Sequence, residues 1–147
     1  MRKLMTGLVV GTAGLALLVS ACGGGDAKPA AAKADAPAAG AASATALKLE
    51  DIKFDKTALS ATKGQALTIN LTNAGALDHD FTIEKIDAKA TLDGKDAKDA
   101  KYAVHAMMKS MATGKLEITP SAAGTFEFFC TVAGHKEAGM KGTLTVQ

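Results

Sequence analysis

Thr125-Phe126-Glu127-Phe128-Phe129-Cys130-Thr131-Val132-Ala133-Gly134-His135-Lys136-Glu137-Ala138-Gly139-Met140-Lys141-Gly142-Thr143-Leu144-Thr145-Val146 is the stretch whose reading decides the fold. In its first part Phe126, Phe128 and Cys130 alternate with Thr125, Glu127 and Phe129, the period of a strand with two unlike faces. In its last part Gly142 opens a second short strand, Thr143 to Val146. The connection between them carries Cys130, His135 and Met140 at C-x4-H-x4-M spacing. A thiolate, an imidazole and a thioether are soft or borderline ligands, a set that copper favours. A loop joining two neighbouring strands can fold all three donors onto one ion.

The same alternation recurs upstream. Leu67, Ile69 and Leu71 alternate with Thr68, Asn70 and Thr72, and Asn73-Ala74-Gly75 then reads as a turn. Phe81, Ile83 and Ile86 follow it. Leu116 and Ile118 alternate with Lys115, Glu117 and Thr119, ahead of a loop over Pro120 to Gly124. Leu47, Leu49, Ile52 and Phe54 form a first strand, whose break in alternation reads as a bulge. Short strands separated by turn signals predict an all-β fold, an antiparallel sandwich or barrel. The stretch 87–101 is rich in Asp, Lys and Ala and is expected to be a helical or loop insertion with a solvated charged face. There is no internal repeat.

A trigonal copper site needs a second imidazole, and His79 and His105 are the two His residues left. His79 lies in Asp78-His79-Asp80-Phe81, at the start of an expected strand just after a turn. That puts it at a sandwich end, where the Cys130 to Met140 loop also belongs. Two His and one Cys with a weak axial Met are the blue-copper electron-transfer set. Taken singly, each residue has a plainer reading. A strand Cys is most often buried packing, a loop His is usually solvated, and Met often plugs a core. It is the combination that points to a metal.

The C-terminal block resembles the type 1 copper proteins, or cupredoxins, such as plastocyanin, azurin, pseudoazurin and auracyanin. The resemblance covers Leu47 to Gln147 and is most specific in Gly75–Phe81 and Thr125–Val146. Gly134-His135 followed by Gly139-Met140-Lys141-Gly142-Thr143-Leu144-Thr145-Val146 is similar to the azurin and auracyanin ending, with an auracyanin-like gap between His and Met. The resemblance implies a Greek-key β-sandwich holding one type 1 copper per chain, with His79, Cys130 and His135 as equatorial ligands and Met140 as the axial one. It also implies a redox partner docking near His135, where the loop residues Ala133, Gly134, Ala138 and Gly139 are small. Three positions depart from or qualify the family pattern. Ala133 stands where many relatives have Pro, which predicts a slightly less rigid ligand loop. Asp80 stands where the family often has Asn. Its carboxylate, accepting from the backbone N–H or hydroxyl of Thr131, would tie the His79 strand to the residue after Cys130 and favour Cu(II). Asp78 matches the place where azurin supplies a weak axial carbonyl.

Arg2 and Lys3 precede an apolar run from Leu4 to Val19. Its strongly hydrophobic part is shorter than the roughly 20 residues a membrane span needs, so it reads as a secretory signal. Val19-Ser20-Ala21-Cys22 resembles a bacterial lipobox, which implies cleavage before Cys22 and lipidation of its thiol. Cys22 is then not available to pair with Cys130. Gly23 to Ala46 has no large apolar residue and carries Pro29 and Pro37, as expected of a flexible tether. The expected organisation is therefore a lipoprotein signal peptide over 1–21, lipidated Cys22 and tether over 22–46, and a folded domain over 47–147. The expected location is the bacterial cell envelope, extracytoplasmic or periplasmic, with a lipid anchor.

Composition removes other classes. The chain has 147 residues, suiting one ordinary domain, with 4% aromatics and no Trp, which argues against base stacking on nucleic acid. Without Arg2 and Lys3, 15 basic residues face 15 acidic ones, so no phosphate-binding footprint remains. Two Cys cannot build a disulfide scaffold. No nucleotide loop and no Ser–His–Asp pattern is present, and a thioether is a poor zinc ligand. The reading is a membrane-tethered monomer that carries single electrons and is not an enzyme. One cluster sits outside it. His105, Met107, Met108 and Met111 fall close together and make a second, Cu(I)-binding site conceivable, which would mean a copper chaperone or storage lipoprotein. The plainer reading is core and loop methionines.

Overall fold

The computed structural model describes residues 42–147. The signal peptide, Cys22 and the tether as far as residue 41 lie outside the described residues. Among the described residues there is no helix. The strands in chain order are β1 (Ser43–Glu50), β2 (Lys53–Phe54), β3 (Ala58–Ala61), β4 (Leu67–Asn73), β5 (His79–Ile83), β6 (Ala88–Leu92), β7 (Lys95–Asp96), β8 (Val104–Met108), β9 (Thr113–Pro120), β10 (Gly124–Phe129) and β11 (Lys141–Val146). They form two sheets, ordered β2-β1-β4-β9-β6-β7 and β3-β11-β10-β5-β8. The chain changes sheet repeatedly, at β4–β5 and β9–β10 among other places, as in a Greek-key sandwich. Two pairings, β1 with β4 and β3 with β11, are parallel, so the sandwich is mixed rather than purely antiparallel.

Period-two alternation builds the interior. β4 turns Leu67, Ile69 and Leu71 inward, β9 adds Leu116 and Ile118, and β11 adds Leu144 and Val146. Phe81 of β5 stacks on Phe128 of β10 with centroids 4.8 Å apart, and Phe54 meets Phe128 edge-on at 5.2 Å. Each fully buried side chain of this size stabilises the fold by about 1.5–3 kcal/mol. Strand β5 is buried along its whole length, including the outward-facing Asp80 and Thr82. That double burial separates it from an ordinary sandwich strand.

Three expectations are corrected. The break between Leu49 and Phe54 is not a bulge. Leu49 pairs with Phe54 and Glu50 with Lys53 across a tight turn at Asp51-Ile52, where Ile52 takes φ 63°. A β-branched residue rarely adopts that conformation, so nothing in its side chain announced the turn. The stretch 87–101 begins as the hairpin β6–β7, with Asp93-Gly94 at its turn, and is irregular only from Ala97 onward. Ala88 and Ala90 are small enough to pack flat on the core and carry no strand signal by composition. Finally, β1 starts at Ser43, inside the expected tether, because its backbone pairs with β4 from Ser43↔Leu67 onward. Backbone pairing needs no large side chain there.

Candidate metal centre

The end of the sandwich is organised by Asn73, the last inward residue of β4, which is fully buried. Its Nδ2 donates to Leu77 O at 2.8 Å and to Met108 O at 3.0 Å, while its Oδ1 accepts from Gly75 N at 3.0 Å. One side chain thus fixes the 74–78 loop that delivers His79 and the turn that follows β8. A polar residue in phase with Leu67, Ile69 and Leu71 was the available signal for it. Asp78 strengthens the same corner, its carboxylate accepting from Lys109 Nζ at 2.7 Å and Ser110 N at 3.0 Å. These contacts, the Lys109 hydrogen bond foremost, hold its carboxyl below the usual carboxylate range.

Cys130 follows β10, and the loop after it is braced by its own backbone. Cys130 N donates to Met140 O, His135 N to Val132 O and Met140 N to His135 O, at 3.1, 3.0 and 2.9 Å. Gly134 and Gly139, at φ 82° and 107°, supply the left-handed corners just before His135 and Met140. The Ala133 that replaces a family Pro therefore sits in a loop with independent bracing.

The structure brings His79, Cys130 and His135 together, their donor atoms all within 4.8 Å of one another. Cys130 Sγ lies 3.9 Å from His79 Nδ1 and 3.7 Å from His135 Nδ1. Donors on bonds of about 2.0–2.3 Å at trigonal angles stand roughly 3.5–3.8 Å apart. The two sulfur–nitrogen distances therefore suit one ion with little movement. Met140 is fully buried and bonded through its backbone to both Cys130 and His135, and His135 is 7% exposed. This donor set fits a single type 1 copper.

Asp80 supports the site from behind. Both its oxygens accept from Thr131 N, at 2.9 and 3.1 Å, and it also accepts the Thr131 hydroxyl at 2.7 Å and the Thr82 hydroxyl at 2.8 Å. Its Oδ2 lies 3.9 Å from Cys130 Sγ. Thr82 was not singled out by sequence. It lies two residues after Asp80, hence on the same face, which is the signal that finds it.

The second cluster is not one site. Alternation along β8 puts Met108 in the core, paired with His79, and puts His105 and Met107 on the opposite face. Met111 lies beyond the strand in the turn, at φ 61° and 74% exposed. His105 Nδ1 is taken by Asp99 Oδ2 at 2.6 Å. Strand geometry divides what sequence proximity joined.

Burial, then the neighbouring His135, hold His79 below the usual imidazole range, and burial pushes the Cys130 thiol up. In the metal-free chain an unfolded His gains its proton near pH ~6.5 before folded His79 does, so stability should fall as pH drops below that value. An unfolded Cys loses its proton near pH ~8.5 before folded Cys130 does, so stability should fall again above it. Urea midpoints of the metal-free chain are expected to peak between these limits. A profile flat across both would contradict the two burial effects.

A family model described as copper binding proteins, plastocyanin/azurin family, matches residues 41–147. The copper-resistant cuproprotein CopI of Rubrivivax gelatinosus is 28% identical over 103 residues, or 67% of this chain. The match spans 62% of that relative, less than two thirds of its length. Dithionite-reduced auracyanin from Roseiflexus castenholzii has a TM-score of 0.57 at 21% identity, covering 74% of this chain and 99% of its own. Auracyanin A from Chloroflexus aurantiacus has a TM-score of 0.53 at 23% identity, covering 71% and 99%. At these identities the two structures establish a shared fold.

Proposed function

The chain belongs to the plastocyanin/azurin family of copper-binding proteins, and on that premise we propose that it carries single electrons between redox partners and is not an enzyme. Copper held by His79, Cys130, His135 and Met140 supplies a one-electron Cu(II)/Cu(I) couple. The observation that carries this reading is the convergence of the three buried donors, with sulfur–nitrogen distances of 3.7 and 3.9 Å. The chain's part is to hold those donors still. Asn73 clamps the His79 loop, the Cys130 N–H to Met140 O bond closes the ligand loop, and Asp80 ties one to the other. Donors that do not rearrange keep the cost of changing charge low.

His135 is the exit. It is the ligand nearest solvent, among the exposed small residues Ala133, Gly134, Ala138 and Gly139. Leu77, on the loop that delivers His79, is 54% exposed. We propose the surface around His135 as the docking face for the redox partner, with the protein a monomer anchored to the envelope through Cys22. The Asp78 carbonyl, next to His79 in the chain, would add a weak oxygen donor to a bound copper.

The relative's name, a copper-resistant cuproprotein, favours a second reading: copper chaperoning or storage. Stoichiometry separates the two. One equivalent of Cu(II) added to the metal-free chain is expected to give an intense blue band, bleached by ascorbate and restored by ferricyanide, with one copper kept through repeated cycles. A colourless protein holding more than one Cu(I) would replace electron transfer with copper handling, with exposed Met107 and Met111 as the added donors.

A further inference from the structure

His79 Nε2 is buried and has no hydrogen-bond partner. Nδ1 is the nitrogen that faces Cys130 Sγ, at 3.9 Å. A ring bound through Nδ1 carries its remaining proton on Nε2. Metal-ligating His almost always donates that proton to a carboxylate, a carbonyl or a water, and a buried N–H left without an acceptor is destabilising.

Gly75 stands beside this nitrogen. A Cβ at Gly75 would lie 2.9 Å from His79 Nε2, 3.2 Å from His79 Cδ2 and 2.7 Å from Asp51 Oδ1. One methyl-sized point therefore touches both the orphaned nitrogen and a carboxylate, and only Gly leaves that point free. Asp51 comes from the β1–β2 turn, and its Oδ1 accepts from Ala76 N at 3.1 Å, which seats the carboxylate on the loop leading into His79. A carboxylate has room for several donors, so this bond leaves acceptor capacity.

We propose that Asp51 is a positioning residue for the metal site: its carboxylate, which stands beside Gly75 short of a hydrogen bond to His79 Nε2, closes on the Nε2–H by a small movement and so fixes the ring with Nδ1 toward Cys130 and His135. The turn at Asp51-Ile52, remote in sequence from every ligand, becomes part of the centre. The inference rests on His79 as a metal ligand and not on electron transfer.

Two variants of the full chain test it. Asp51→Asn keeps an oxygen for Ala76 N–H and removes the charge; Asp51→Ala removes both. In the metal-free chain, ¹⁵N shifts of His79 are expected to report the Nε2–H tautomer, and Asp51→Ala to shift the ring toward a tautomer mixture. This readout needs no copper, so its failure is distinct from a failure of the copper reading. In the copper-loaded chain, Asp51→Asn is expected to lower the Cu(II)-over-Cu(I) preference about tenfold, a rise of about 59 mV for one electron. The rise should persist in ~1 M salt, where exposed charges are screened beyond roughly 3 Å. An unchanged tautomer in Asp51→Ala, or a rise in Asp51→Asn that vanishes in salt, would overturn the proposal and leave Asp51 a surface charge.

Discussion

Cys130→Ser is expected to abolish the intense visible absorption and the reversible one-electron response of the copper-loaded protein. Cys130 is the one cysteine among the described residues, and its Sγ lies under 4 Å from a nitrogen of each imidazole. A serine hydroxyl is a hard donor that keeps its proton at neutral pH, so the site loses its tightest and most covalent ligand. Copper affinity should drop by more than the roughly 10–100-fold that loss of an outer-shell partner costs. The fold should survive, because Ser nearly matches Cys in volume and the metal-free chain stands to lose only about 1–3 kcal/mol from burying the hydroxyl. Copper titration followed by visible spectroscopy, with circular dichroism to confirm folding, checks both halves. A blue Cys130→Ser protein would remove Cys130 from the site.

Asp80→Ala should have the largest effect on stability. Asp80 is fully buried and accepts from Thr131 N, the Thr131 hydroxyl and the Thr82 hydroxyl. Without it the buried Thr82 hydroxyl and the part-buried Thr131 donors lose their acceptor, at up to about 1–3 kcal/mol each, less whatever a rotating hydroxyl or water recovers. A net loss of about 3–5 kcal/mol is expected, lowering the thermal midpoint by more than about 10 °C. Asp80→Asn keeps an acceptor and should cost far less. Its effect should appear in the potential instead, because the carboxylate stands 3.9 Å from Cys130 Sγ. Removing a negative charge there disfavours Cu(II), so the potential should rise. Calorimetry separates the first effect and electrochemistry the second. A potential unchanged or lowered in Asp80→Asn would mean that the Asp80 carboxylate does not act on the metal.

These variants, with those at Asp51, divide the centre into three layers of legibility. The ligands were readable because chemistry and spacing coincide: soft donors at C-x4-H-x4-M between two alternating strands, and His79 at a strand start. Asp80 was readable through the family pattern, and the structure supplies both Thr131 bonds to it. Asn73, Gly75, Thr82 and Asp51 were not singled out, because their roles depend on neighbours distant in the chain. Asn73 reaches Met108 O across 35 residues, and Gly75 meets Asp51 across the β1 to β4 pairing.

The fold divides along the same line. Alternation of large apolar residues marked β4, β9, β10 and β11 and the sandwich they build. It missed β3, β6 and β8, which are short and dominated by Ala or Met, so their sequences carry little periodic signal. The His105–Met111 cluster could not be divided from sequence for a related reason: neighbours in a strand point to opposite faces, and only the strand shows which. By itself the sequence determined the sandwich class, the metal and the residues whose donors fit it, because ligand chemistry and hydrophobic period are properties of residues and their spacing. Only the tertiary structure decided what holds those atoms in place, because a buried hydrogen bond or a methyl-sized gap is a relation between distant segments that exists once they have met.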